Sequence, residues 1–260
     1  MPLPRGRLRS AGHKSSPIRS SAISHWRGTL VWRGLIPLSI AQAMSSAADR
    51  RMAVLNEISG AARLAGRNPA EVTLIAVTKT RSSEEIQALI DAGQRDFGES
   101  RVQEAMAKWP PLARNADVRL HCIGRLQSNK AAEAVRLFDS IHSLDRRSLL
   151  DALSLEAAKA NRTPSVYVQV NIGDEPQKGG CAIGDVADLV SAVRDSPLEL
   201  AGLMCIPPLG LEPSPFFALL AKIAREQGVD GLSMGMSADF KAAVMLGSTA
   251  VRVGTALFPD

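Results

Sequence analysis

Hydrophobic positions along the chain follow two periods in turn. Short runs that are apolar or β-branched at every, or every second, position are separated by stretches whose apolar residues recur every three or four. The runs 72–79 (VTLIAVTK), 96–99 (DFGE), 119–124 (RLHCIG), 140–145 (SIHSLD), 166–172 (VYVQVNI), 198–206 (LELAGLMCI), 231–236 (GLSMGM) and 250–258 (AVRVGTALF) predict strands. Helices are predicted over 82–92, 101–108, 128–138, 146–160, 184–195, 215–227 and 238–246, and a further one over 45–65 precedes the first strand. Strict alternation of the two predicts an α/β protein with a parallel sheet, and unbroken apolar runs such as 72–77 suit strands buried on both faces. An open doubly wound sheet would carry a glycine-rich turn after its first strand, where this chain has Thr-Lys-Thr-Arg. A closed (β/α)8 barrel needs about 250 residues, with roughly 200 as its lower end. Residues 44–260 supply 217, so the expected fold is one (β/α)8 TIM barrel over 44–260.

Charge separates residues 1–43 from that body. The chain has a formal charge of +5, but residues 1–43 hold seven of its basic side chains and no acid. The remainder counts 24 basic against 26 acidic residues, and its mild acidity argues against nucleic-acid binding. Three readings of this leader compete. An early start codon, with Met44 as the true beginning, is favoured. A transit peptide, which would make the protein mitochondrial, comes second. A secretory signal is disfavoured by Pro37 and by the brevity of the apolar run before Ala41-Gln42-Ala43. No segment approaches the roughly 20 uninterrupted apolar residues of a membrane span, and a cytoplasmic protein is expected. Cys122, Cys181 and Cys205, odd in number and unpaired in spacing, read as small buried hydrophobes in a reducing compartment rather than as a metal or disulfide site.

Active groups of such barrels sit at the carboxyl ends of strands. The first strand delivers Lys79, a cation after a run of buried character, which asks for a partner because an unpaired buried ammonium is costly. The seventh runs into Ser233-Met234-Gly235-Met236-Ser237, and Ser237 is placed to cap the helix predicted over 238–246. The eighth carries Arg252, Gly254 and Thr255. Tight turns and a cap explain either segment alone. Their co-occurrence on adjacent strands points to a phosphate site, which barrels often place after strands seven and eight. A shielded amine condenses with an aldehyde. Aldehyde and phosphate at opposite ends of one flat ring describe pyridoxal 5′-phosphate.

The segments AVTKT, DAGQRDFGES-RVQE, H-C-IGRLQSNK, IHSLDR, VQVNIGDEPQKGG, LAGLMCIP, LSMGMSADFKAA and GSTAVRVGTALF, in this order over about residues 70–258, resemble the pyridoxal phosphate homeostasis protein family, also called YggS/PROSC. The resemblance implies a single-domain barrel like the N-terminal domain of alanine racemase, with pyridoxal phosphate held on Lys79. It also implies Ser233, Ser237, Gly254 and Thr255 around the phosphate, Arg252 facing the pyridine nitrogen, and Met204 and Asn171 lining the pocket, with Met234 and Gly235 as further cofactor-site residues. Ser100 is a further cofactor-site candidate, although the family commonly has asparagine there and the shorter side chain leaves its role open.

An arginine cannot take the pyridine proton, so it leaves that nitrogen mainly neutral and weakens carbanion chemistry. The single tyrosine, Tyr167, falls near the start of its strand, far from where a second acid/base is needed, and the sequence ends two residues after Phe258 with no second domain expected. Lys130, Lys178, His121, His142 and Asp145-Arg146 read as loop, core or helix-start residues. The expectation is a carrier without turnover, supplying PLP-requiring apo-enzymes and steadying vitamin B6 and amino-acid pools, monomeric rather than an obligate dimer. The alternatives are a slow amino-acid racemase and, more remotely, a cofactor-free Schiff-base aldolase acting on a phosphorylated sugar.

Overall fold

The computed structural model describes residues 46–113 and 117–258; the leader assigned to 1–43 lies outside them. Eight strands close a parallel barrel in sequence order: β1 (Thr73–Val77), β2 (Asp96–Glu99), β3 (Arg119–Cys122), β4 (Ser140–Leu144), β5 (Ser165–Gln169), β6 (Glu199–Met204), β7 (Leu232–Met236) and β8 (Ala250–Val253). β1 pairs with β8, with Ile75 opposite Arg252 and Ala76 opposite Val253. The helices are α1 (Ala47–Leu64), α2 (Ser83–Asp91), α3 (Val102–Ala113), α4 (Ala131–Leu137), α5 (Arg147–Ala160), α6 (Val186–Arg194), α7 (Ser214–Glu226) and α8 (Phe240–Met245). The predicted fold is the observed one.

Local chemistry places the helix ends. Ser46 caps α1 by accepting the Asp49 N–H, and Ser82 and Glu85 form a reciprocal capping box at α2. The predicted helix at 128–138 begins as a 3-10 turn, Ser128–Lys130. α3 runs past its predicted end at 108 and through Pro110 and Pro111; the wholly buried Trp109 anchors the turn that the prolines weaken. Strands β1 and β8 stop at Val77 and Val253, short of their predicted ends at 79 and 258, because closure pairs only the levels that have a partner on the neighbouring strand.

The strand period of two divides the buried residues into two sets. Leu74, Ala76, Phe97, Leu120, Ile141, Val166, Val168, Leu203, Met234, Val251 and Val253 pack outward in one apolar cluster with the helices. The alternate positions face the lumen, and that set is largely polar, with Asp96, His121, His142, Tyr167, Ser233 and Arg252 beside the apolar Ile75 and Met204. Contacts between strands that are not neighbours, such as His142 on β4 with Ser233 on β7, can only cross the barrel interior. Gly235 brings β7 against α8. Its φ is +94°, and a Cβ there would stand 2.6 Å from Ala243 Cβ and 2.9 Å from Phe240 Cα.

Candidate functional site

β1 hands the chain to a turn that holds Lys79. Thr78, not Lys79, is the buried residue, which corrects the expectation of a buried amine: Lys79 is exposed and makes no hydrogen bond or ion pair among the described residues. Thr78 is held on three sides. Its N–H donates to Gly98 O (3.0 Å), its hydroxyl to Glu99 Oε1 (2.7 Å), and its carbonyl accepts Lys108 Nζ (2.9 Å). Thr80 follows with φ +62°, a left-handed conformation costing a β-branched residue about 1–2 kcal/mol. Lys79 is therefore a free cation on a rigid base.

Sequence reasoning missed that base. Glu99, fully buried, also accepts Lys108 Nζ (3.0 Å) and Trp109 Nε1 (3.0 Å). Glu99→Ala is expected to destabilise the fold by about 3–5 kcal/mol, because it leaves a largely buried ammonium without its counter-charge. Denaturant titration checks the loss. The available signal was a carboxylate closing an otherwise buried strand, DFGE, nine residues before the lysine of α3.

At the same end of the barrel, Arg252 on β8 is 4% exposed. Its Nη1 donates to Ser233 Oγ (2.6 Å) and its Nη2 to the carbonyl of Cys205, just past β6 (3.0 Å). No carboxylate pairs with it among the described residues, and burial pulls it below the ordinary guanidinium value. A buried, un-neutralised guanidinium at a barrel mouth favours an acceptor or an anion as its missing partner. Met204, fully buried, lies level with Ser233 on the neighbouring strand.

Beside β1, the Gly254 N–H donates to Ser237 Oγ (3.1 Å), so the two predicted anion-binding segments touch. A Cβ on Gly254 would meet nothing closer than Val77 Cβ at 3.6 Å, and its φ is not in the left-handed region. A Cβ would sit there in ordinary contact, so the fold itself does not require glycine at this position. Thr255 is exposed in the next turn. Ser237 does not cap the helix as expected: α8 starts at Phe240 after Asp239, whose Oδ1 accepts the Met236 N–H (2.6 Å).

Other candidates are placed differently. Met234 packs its side chain in the outer apolar cluster, and its carbonyl accepts Ser248 Oγ (2.7 Å). Gly235 meets α8. Asn171 closes its own loop, donating to Glu175 O (3.0 Å) and accepting the Glu175 N–H (3.1 Å). Ser100 lies in the bend after β2, its carbonyl only 2.1 Å from where a Gly124 Cβ would stand. Lys178 is not a solvated loop residue: it pairs with Glu175 and donates to Pro207 O (2.9 Å), tying the loop after β5 to that after β6. Lys130 pairs with Glu133 (3.1 Å). The three cysteines are buried and free, their thiols pushed up to about 12 by burial. Among the described residues there is no cluster of three metal-ligating side chains, and no helix is long and apolar enough to cross a membrane.

The family model for the alanine racemase N-terminal domain matches residues 53–260. A pyridoxal phosphate homeostasis protein of Pseudomonas aeruginosa is 40% identical over 221 residues, covering 83% of this chain and 96% of that protein. The chain belongs to the pyridoxal phosphate homeostasis protein family. The family's Escherichia coli protein is 38% identical over 230 residues, covering 83% and 97%. Among solved structures similar to this member of the family is PipY of Synechococcus elongatus with PLP bound. It is 38% identical with a TM-score of 0.70, covering 82% of this chain and all of that one. A D-threonine aldolase from Filomicrobium marinum, 17% identical with a TM-score of 0.62, shares the barrel fold.

Proposed function

We propose that this protein carries pyridoxal 5′-phosphate as a Schiff base on Lys79, contributes to intracellular PLP and amino-acid homeostasis, and does so without catalytic turnover. The observation that carries this reading is the presence, at one end of the barrel, of an unbonded lysine on a rigid turn and a buried guanidinium that no carboxylate neutralises. When bound, the cofactor supplies an aldehyde for amines and an electron-withdrawing ring.

The residues divide the work of holding it. Lys79 offers the amine. Ser237 Oγ, the Gly254 N–H and the Thr255 hydroxyl offer donors for a phosphate at the ends of β7 and β8. Arg252, which has only N–H groups to give, would face the ring nitrogen as a donor and leave it mainly neutral, which would make the ring a weak electron sink. Met204 and the Ser100 bend border the mouth. Met234, Gly235 and Asn171 are assigned a supporting role, through the β7–α8 contact and the 171–175 loop. Tyr167 is stacked on His142 inside the barrel, with ring centroids 4.2 Å apart, and is not at the mouth as a second acid/base.

By this proposal residues 1–43 are a leader outside the PLP-binding barrel, the protein is cytoplasmic and monomeric rather than an obligate dimer, and PLP-requiring apo-enzymes are the recipients. Three unpaired thiols fit a reducing compartment. Borohydride reduction followed by peptide mass spectrometry tests the linkage, and the expected result is one pyridoxyl label, on Lys79. Incubating the loaded protein with single-enantiomer amino acids tests the absence of turnover. Racemised product in excess of protein would replace the carrier with the racemase.

A further inference from the structure

One cluster of titratable groups is left unused by this reading, and it runs the length of the barrel lumen. From the carboxyl-terminal end, Arg252 Nη1 reaches Ser233 Oγ (2.6 Å), and Ser233 Oγ lies 2.8 Å from His142 Nδ1. His142 Nε2 lies 3.0 Å from His121 Nδ1, and His121 Nε2 lies 3.0 Å from Asp96 Oδ1. Asp96 opens β2 at the opposite end, where Arg119 Nη2 also binds it (2.8 Å). A cavity of about 190 Å³ opens there, bordered by Asp96, Arg119, His121, Ser140 and Tyr167. The Ser140 hydroxyl is buried without a protein partner. At roughly 30 Å³ per water, the cavity holds several.

The two ends of this file leave its protons one arrangement while both imidazoles are neutral. A guanidinium can only donate and a carboxylate can only accept. His121 must therefore donate Nε2–H to Asp96 and accept at Nδ1. His142 must donate Nε2–H to His121, and Ser233 must donate its hydroxyl to His142 Nδ1. Ser233 oxygen is then a pure acceptor for Arg252. We propose that Asp96, His121 and His142 are positioning residues for Ser233 and Arg252, holding this one-way file of hydrogen bonds, and that a single proton taken up at the carboxyl-terminal mouth reverses it. The Ser233 oxygen takes up that proton as its own hydroxyl hydrogen passes to His142 Nδ1, and the His142 Nε2 hydrogen passes to His121 Nδ1; His121 is left as the imidazolium, His142 as the Nδ1–H tautomer donating to Ser233, and the Ser233 hydrogen points into the mouth. No bond other than N–H and O–H is made or broken.

The surroundings disfavour a proton on His142. His142 is wholly buried and held well below the ordinary imidazole value, by burial first and then by His121 and Arg252. Asp96 would be raised by burial, but hydrogen bonds from His121 and Arg119 outweigh this and hold it below the usual carboxylate range. The charged and titratable groups around the two rings are Asp96, Arg119, Asp139, Tyr167, Glu199 and Arg252.

The consequence for the cofactor rests on the reading of Lys79 given above, whereas the proton arrangement does not. Nitrogen NMR of the full chain with labelled histidine, without cofactor, tests the arrangement, with His121→Phe and His142→Phe assigning the signals. Both rings are expected as Nε2–H tautomers at pH 8, and His142 is expected to switch to Nδ1–H as pH falls. PLP affinity, titrated by absorbance over the same range, is expected to change about fivefold, the worth of one hydrogen bond, at the same midpoint. In Asp96→Asn both midpoints move together to lower pH, because the protonated ring loses its anion. In His142→Phe the step in affinity is lost. An Nδ1–H tautomer on either ring at pH 8, or an affinity step that stays in place in Asp96→Asn, overturns the proposal. Expected tautomers without any PLP binding refute the function of Lys79 and the coupling, and leave the proton file standing.

Discussion

Lys79→Ala is expected to give a folded protein that takes no pyridoxyl label on borohydride reduction and lacks the visible absorbance of the loaded wild type. The expectation of unchanged folding comes from geometry. Lys79 is exposed and bonded to nothing among the described residues, and truncating such a side chain ordinarily shifts stability by no more than about 0.5 kcal/mol. The turn itself is held by Thr78, Glu99 and Lys108, which the substitution leaves in place. Loss of label with an unchanged melting temperature therefore reads directly on the amine. PLP is expected still to associate with the variant through the groups proposed to hold it, Ser237, Gly254, Thr255 and Arg252, but without the C=N bond. A pyridoxyl group recovered on another lysine of the variant and of the wild type would remove Lys79 from the site.

Arg252→Met is expected to separate binding from stability in the opposite sense. The arginine is buried and pairs with no carboxylate among the described residues, an arrangement that costs folding energy and that an apolar side chain of similar length relieves. Two acceptors, Ser233 Oγ and Cys205 O, lose a donor each, which limits the gain. The protein without cofactor is expected to melt at the same temperature or higher. PLP affinity is expected to fall, because a charge-assisted hydrogen bond contributes about 1.5–3 kcal/mol, or roughly ten- to a hundred-and-fifty-fold. Calorimetry and absorbance titration measure the two sides. An unchanged affinity would mean that the guanidinium does not face the ring, and a large drop in stability would mean that its bonds to Ser233 and Cys205 outweigh its desolvation.

Much of the barrel was legible because its signals are local. Apolar runs and helix periods are each read within ten or so residues, and all eight strands and eight helices lie where the pattern put them. Ends were less legible. Lys79 reads as the last residue of a buried strand, and only closure of the barrel, which stops pairing at Val77, turns it out to solvent. Ser237 reads as a helix cap because the segment SADF has the right residues, but 237–239 form a turn after β7 and Asp239 takes the position before the helix. Met234 shows the limit of a motif read without the strand period. It sits among site residues in sequence and on the opposite face of β7 in space.

The sequence by itself determined the alternation of strands and helices, the parallel barrel, the lysine at the end of β1 and the hydroxyl and glycine groups after β7 and β8, since each depends on spacing within one segment. It also carried the family resemblance, for the same reason. What only the tertiary structure decided is which side chains meet: the Glu99–Lys108 base beneath Lys79, the bond between Ser237 and Gly254, and the file from Asp96 to Arg252. Those partners are contributed by strands and helices up to 91 residues apart, as for His142 and Ser233. Their directions are set by the closure of a cylinder, which brings every inward-facing residue to a common axis and has no signature in any single stretch of chain.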